Sequence, residues 1–297
     1  MTGREQGFLL LTSQLGLPGR KVLTTAQLRT LGNRVRSANW QDRDRELTAD
    51  DLLALGYSRE MARQILVLLE DGQLLDYYCQ QGKKRDCYPL SRVSDAYPRR
   101  IYQALGQESP GCLWYKGDLS ILQMPAISLV GSRDLNPDNQ RFAQEIGRQA
   151  ALQGYALVSG NARGADREAQ NACLRAGGKV ISVVADSLAA QSARENVLYI
   201  SEEDFDAEFS AARALSRNRC IHSLGQMTFV AQCGYQKGGT WDGTVKNLRF
   251  SYSPVFCYAD GSPAQQLLAD MGASAVELLD LQNLAGLRPK TSNLFDQ

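Results

Sequence analysis

The chain has 297 residues, 43% of them apolar, which is enough to bury a real core and on length alone suggests about two domains. Thirty-three Lys and Arg stand against 32 Asp and Glu, leaving a formal charge of +1, so no overall electrostatic attraction draws nucleic acid and any such binding needs a local groove. Seven scattered cysteines without a CxxC pair argue against a disulfide scaffold, a single histidine excludes a multi-histidine metal centre and disfavours a histidine-based triad, and no apolar run approaches the ~20 residues of a membrane span. A cytoplasmic protein with free thiols, no metal and no cofactor is expected.

Taken in order, residues 1 to about 82 read as helical, with apolar residues at helical spacing over 25–35 and 61–69. Thr48 with Asp51 has the form of a capping box. A basic, polar break over 80–86, followed by Pro89 and Pro98, predicts the end of a small all-helical domain, 1–85, ahead of a main domain, 86–280, and a tail, 281–297. Within the main domain the pattern alternates. Strands are expected over 126–130, 155–158, 180–184, 197–200, 227–231 and 255–258, and helices over 138–152, 166–176, 207–215 and 240–249. That order predicts an α/β, Rossmann-like, mostly parallel sheet flanked by helices with right-handed crossovers.

Four segments gather small residues and cations where strands give way to helices, the edge at which open α/β sheets place ligands. Gly131, Ser132 and Arg133 follow the first of these strands. Ser159, Gly160, Arg163, Gly164 and Asp166 follow the second, with Asp166 expected to cap the next helix. Arg217, Asn218 and Arg219 stand between a helix and a strand, and Lys237, Gly238, Gly239 and Thr240 form a turn without Walker spacing. Glycine amides, helix amino termini and guanidinium forks together suit phosphate. A plain turn with surface arginines, or a solvated helix end, is the competing reading of each segment taken singly. Tyr235 and Trp241 flank the last turn and read equally as stacking platforms or core. His222 reads as structural.

The ordered series Tyr97-Pro98, Lys116-Gly117-Asp118, VGSR at 130–133, SGNARGAD at 159–166, Ser201-Glu202, RNR at 217–219 and Gly272-Ala273 resembles the DNA-processing protein A, or Smf, family over roughly 90–280. The resemblance implies a non-catalytic protein of DNA-mediated transformation or DNA recombination. Such a protein binds single-stranded DNA, forms a homodimer and passes the strand to a RecA-type recombinase. It assigns Gly131, Ser132, Arg133, Ser159, Gly160, Arg163, Gly164, Arg217, Asn218, Arg219, Lys237, Gly238, Gly239 and Thr240 as strand contacts, with no catalytic or metal-binding residue and no membrane partner. This chain departs from the family at Gly164-Ala165-Asp166, Ala169-Gln170, Ala214-Leu215-Ser216, Gln232 and the KGGT turn. The carboxyl-terminal winged-helix module of some members is expected to be absent.

Residues 52–65 resemble the second half of a helix-hairpin-helix, with Ser58 in place of a glycine, and the amino-terminal domain is expected to be of that kind or SAM-like. Two alternatives stay open for the main site. One is a nucleotide hydrolase similar to the Lonely Guy phosphoribohydrolases, for which Asp242 is the nearby carboxylate; the other is a nucleotide-sensing module of a defence system. The Leu-Phe pair within 292–297 reads as a docking peptide or as a stray apolar pair.

Overall fold

A computed structural model describes residues 1–38, 40 and 46–290; the 292–297 peptide lies outside them. Five helices come first: α1 (Gly3–Thr12), α2 (Thr25–Ser37), α3 (Ala49–Ala54), α4 (Arg59–Glu70) and α5 (Gly72–Lys83). Thr2, Thr24, Thr48 and Ser58 cap the first four by accepting a backbone N–H two or three residues into each helix, and the Thr48–Asp51 capping box forms. Leu28, Leu31, Leu52, Ile65 and Leu68 form their shared core. The break expected at 80–86 starts later, because α5 runs to Lys83.

The rest of the chain alternates as β1 (Tyr88–Ser91), α6 (Arg99–Leu105), β2 (Cys112–Lys116), β3 (Ala126–Val130), α7 (Pro137–Leu152), β4 (Ala156–Ser159), α8 (Ala165–Arg175), β5 (Val180–Val183) and β6 (Val197–Ser201). It continues through α9 (Ala211–Ser216), α10 (Asn218–Leu224), β7 (Thr228–Val230), α11 (Gly239–Phe250), β8 (Val255–Tyr258), α12 (Pro263–Asp270) and β9 (Ser274–Val276). The nine described strands make one sheet in the order β1-β2-β6-β5-β4-β3-β7-β8-β9. It is parallel from β6 to β9, with β2 antiparallel to β6 and β1 antiparallel to β2. This is the Rossmann-like, mostly parallel sheet the alternation predicts, extended at one edge by two strands and at the other by β9. The helix expected over 207–215 starts only at Ala211, where the Ser210 side chain caps it.

The chain winds outward from β3 in both directions, to β4, β5 and β6 on one side and to β7, β8 and β9 on the other. A topological switch point therefore lies between β3 and β7. Strands buried on both faces carry unbroken apolar runs. Ile127 and Leu129 pack with Phe142 and Ile146 of α7 on one face, while Val130, Val158 and Ile181 pack with Ile221 and Trp241 on the other. At Gly147 a Cβ would lie 2.0 Å from the Ala169 carbonyl oxygen, so α7 and α8 meet backbone to backbone.

The helical layer docks on the sheet through α1, α5 and the segment after β6. Tyr78 stacks on Phe205 at 4.5 Å and meets Trp114 edge-on at 5.4 Å. Ser13 Oγ donates to Asp204 at 2.5 Å, and the Gly16 N–H donates to the other Asp204 oxygen at 3.0 Å. All seven cysteines are free; Cys87, Cys112, Cys173, Cys220 and Cys257 are buried, and burial pushes the Cys173 thiol up to about 12 and Cys112 and Cys220 well above their usual range. No described helix is long and apolar enough to cross a membrane.

His222 sits in a buried polar cluster, its Nδ1 3.1 Å from Asn247 Nδ2, and burial pushes its pKa from the ordinary 6.5 down to about 3. The unfolded chain takes up that proton first, so the histidine's share of stability is intact above pH 6.5 and is lost as pH falls toward 3, by at most about 1.4 kcal/mol per unit. Urea unfolding at pH 7, 5.5 and 4.5 is expected to show acid weakening the native protein more than a His222→Gln variant. Equal weakening would refute this role.

Candidate nucleic-acid interface

Three loops leave the carboxyl ends of neighbouring parallel strands: 131–136 after β3, 160–164 after β4 and 231–238 after β7. Direct bonds tie them together. The Ser132 N–H donates to the Gln232 carbonyl at 2.8 Å, and the Ala165 N–H donates to the Ser132 carbonyl at 3.1 Å. Thr240 Oγ1 donates to the Gly131 carbonyl at 3.0 Å, and the Asn136 N–H donates to Gln232 Oε1 at 3.0 Å. The α9–α10 junction closes the ring, Arg217 donating to the Gly160 carbonyl at 2.9 Å and Asn218 to the Gly239 carbonyl at 3.1 Å. All four sequence-predicted segments therefore meet on one rim, at the switch point.

The loop backbones are shaped for close approach. Gly164 has φ +82°, and a Cβ there would sit 2.4 Å from both the Ser132 and Arg133 carbonyl oxygens, so only glycine fits. Asn161 and Gln236 are also held at positive φ, 60° and 52°, a conformation uncommon for residues with a side chain. Helices α8 and α11 start at Gly164 and Gly238 with no side-chain cap, whereas the flanking α7 and α12 are capped by Asn136 and Ser262. Their first N–H groups have no intrahelical acceptor and the helix dipole favours an anion there.

The charged residues divide into two sets. Arg133, Arg163 and Lys237 are exposed, and Arg163 bonds Asp134 at 2.7 Å in a pair whose side chains are 69% and 84% exposed. Such a pair is worth little and opens easily. Arg133 and Lys237 have no ion-pair partner among the described residues. Arg217, by contrast, is buried beneath the 160–164 loop, where burial pulls its pKa down. It shapes the rim from below. Arg219 faces away and is held by Glu202 at 2.9 Å and by the Glu108 carbonyl. Two residues apart on helical backbone, the arginines project in nearly opposite directions.

Two further residues differ from their expected placement, and the open reading of Tyr235 and Trp241 divides between them. Ser159 is fully buried and accepts a bond from Gln170 at 2.6 Å, inside the sheet rather than on the rim. Asp166 does not cap α8; it lies one residue inside the helix and accepts the Ala162 N–H at 3.0 Å. Burial raises its pKa, opposed by the Arg217 charge. Trp241 is buried in the core while Tyr235 is exposed, which leaves Tyr235 as the candidate platform for a base. Gln232, named above only as a departure from the family, ties the 131–136 loop to the 231–238 loop, and Asp134 pairs with Arg163; neither carries the glycine-cation signature that marks the rim in the sequence. Among the described residues no cluster of His, Cys, Asp and Glu is arranged to hold a metal ion.

In the helical layer, α3 and α4 form a hairpin turning at Gly56 (φ +81°), and Ser58 accepts the Met61 N–H. Ser58 thus serves as a helix cap.

Fold and rim together define a doubly wound α/β protein with a cradle of glycine-rich loops and exposed cations at its switch point. A family profile described as DNA recombination-mediator protein A matches residues 89–260. The chain belongs to that family. It is 34% identical to the DNA processing protein DprA of Streptococcus pneumoniae over 165 residues, 52% of this chain and 54% of that protein. It is 24% identical to protein Smf of Escherichia coli over 215 residues, 69% of this chain and 56% of the other. The chain spans about half the length of the curated relatives it matches. The X-ray structure of the S. pneumoniae protein superposes with a TM-score of 0.70 at 23% identity, covering 97% of this chain and 99% of that one. A Helicobacter pylori DNA processing protein A, described as having a unique single-stranded DNA binding mode, superposes with a TM-score of 0.55 at 21% identity over 66% of this chain and 93% of its own.

Proposed function

We propose that the rim holds single-stranded DNA, without catalysis, as a recombination mediator does. The observation that carries the reading is the ring of bonds joining four separate segments at the switch point, beneath the exposed cations Arg133, Arg163 and Lys237. Phosphates meet backbone amides at Gly131, Gly160, Gly164, Gly238 and Gly239 and the three cations, with Ser132 and Thr240 lining the floor and Tyr235 stacking a base. In this reading Arg217 and Asn218 position the loops, and Arg219 and Ser159 make no strand contact. Passage of the strand to a RecA-type recombinase and action as a homodimer follow from the family resemblance.

Phosphate-dominated binding has a measurable signature: affinity independent of sequence that falls steeply with salt. Binding of a thirty-nucleotide strand, the matching duplex and deoxynucleoside monophosphates, each titrated with salt, tests it. Preference for the single strand with a steep salt slope is expected. Tighter binding of a mononucleotide that displaces the strand, or release of free base from it, would move the assignment to a sensor or a hydrolase.

A further inference from the structure

Beyond the α9–α10 junction a cleft of about 470 Å³ opens between the helical layer and the ends of β2 and β6. Trp114 and Glu202 both line it, and each carries a buried polar atom without a hydrogen-bond partner, the indole Nε1 and the carboxylate Oε1. The Glu202 side chain is 4% exposed, and Arg219 holds its other oxygen at 2.9 Å. Burying a polar group without a partner is costly. The Trp114 indole is closed off by Tyr78 and Phe205, so the unpaired Glu202 acceptor at the cleft wall is what points to a ligand, one able to donate to it.

We propose that this cleft takes one unstacked nucleobase of the strand bound on the neighbouring rim, an inference that rests on the reading of the rim given above. Three observations select a base. The Glu202–Arg219 pair sets a free acceptor beside guanidinium donors, and the pairing edge of every base sets a donor beside an acceptor. The cleft falls within the usual size of small-ligand pockets, ~300–1,000 Å³. The α9–α10 junction is shared, since Arg217 holds the Gly160 loop while Ser216 and Arg219 line the cleft. Between the ends of β4 and β6 lie two strand spacings, about 10 Å, which a few nucleotides cross.

The test compares a twenty-nucleotide thymidine strand with an abasic strand of the same backbone, each binding to the native protein, to Glu202→Gln and to Ala212→Trp. Ala212 is exposed at the cleft, so a tryptophan there fills the space without entering the core. The native protein is expected to prefer the base-bearing strand by about tenfold, a typical value for one recognised base. Both variants should lose a large part of the preference, keeping the share that base stacking on Tyr235 contributes, and leave affinity for the abasic strand unchanged. The same preference in all three proteins would overturn the cleft assignment alone. Failure of the native protein to bind either strand would overturn the rim reading, and this inference with it. If thymidine monophosphate binds the native protein but not Ala212→Trp, yet leaves strand affinity untouched, the strand is not the source of the base.

Discussion

Replacing Arg133, Arg163 and Lys237 together with alanine is expected to weaken binding of a thirty-nucleotide strand by two to three orders of magnitude at ~0.1 M salt. The plot of log affinity against log salt should flatten by about two, because each phosphate contact with a single strand contributes a slope of about 0.7. The three side chains are exposed, so stability should not change with affinity. Asp134→Asn provides the opposite arm. It removes the carboxylate that bonds Arg163 and should strengthen binding a few-fold, most clearly at low salt. An unchanged salt slope in the triple variant would remove the rim from consideration as the strand site.

Gly147→Val is expected to cost at least 3 kcal/mol of stability, the largest single effect of the substitutions considered. A Cβ at this position meets Ala169 backbone atoms at 2.0, 2.8 and 3.0 Å, none of which can rotate away, and valine adds two methyl groups to the clash. Both helices begin at the rim, α7 after Asn136 and α8 after Gly164, so forcing them apart spreads the 131–136 and 160–164 loops. Urea midpoints and strand affinity should therefore fall together in this variant, whereas in the triple cation variant only affinity falls. A native-like midpoint would show that the helices have room to separate.

The parts of this molecule legible in the sequence are those with local causes. Strands β3 to β8 announce themselves as short apolar runs because they are buried on both faces, and glycine with a cation after β3, β4 and β7 marks the rim. Strands β1 and β2 lack that signature: β1 is a four-residue edge strand containing Pro89, and β2 mixes Cys, Trp, Tyr and Lys. The helix expected to start at 207 starts at Ala211 because a serine, Ser210, captures its first turn. The RNR triplet contains two arginines of equal composition value, yet a helical rotation of about 200° sends Arg217 under one loop and Arg219 toward Glu202. Which of two nearby cations faces a ligand is decided by tertiary partners, here Gly160 and Glu202, that lie 57 and 17 residues away.

The seven thiols distributed through this fold make the protein its own reporter of opening. A cysteine reacts with an alkylating reagent as the thiolate, and burial here both withholds the sulfur and keeps it protonated. Half-buried Cys79 on α5 and Cys233 beside the Lys237 turn lie in separate regions, while Cys112 and Cys257 sit in strands β2 and β8 and Cys220 is buried on α10. Iodoacetamide uptake read site by site would therefore time loosening of the helical layer, the rim and the central scaffold independently, with no introduced label.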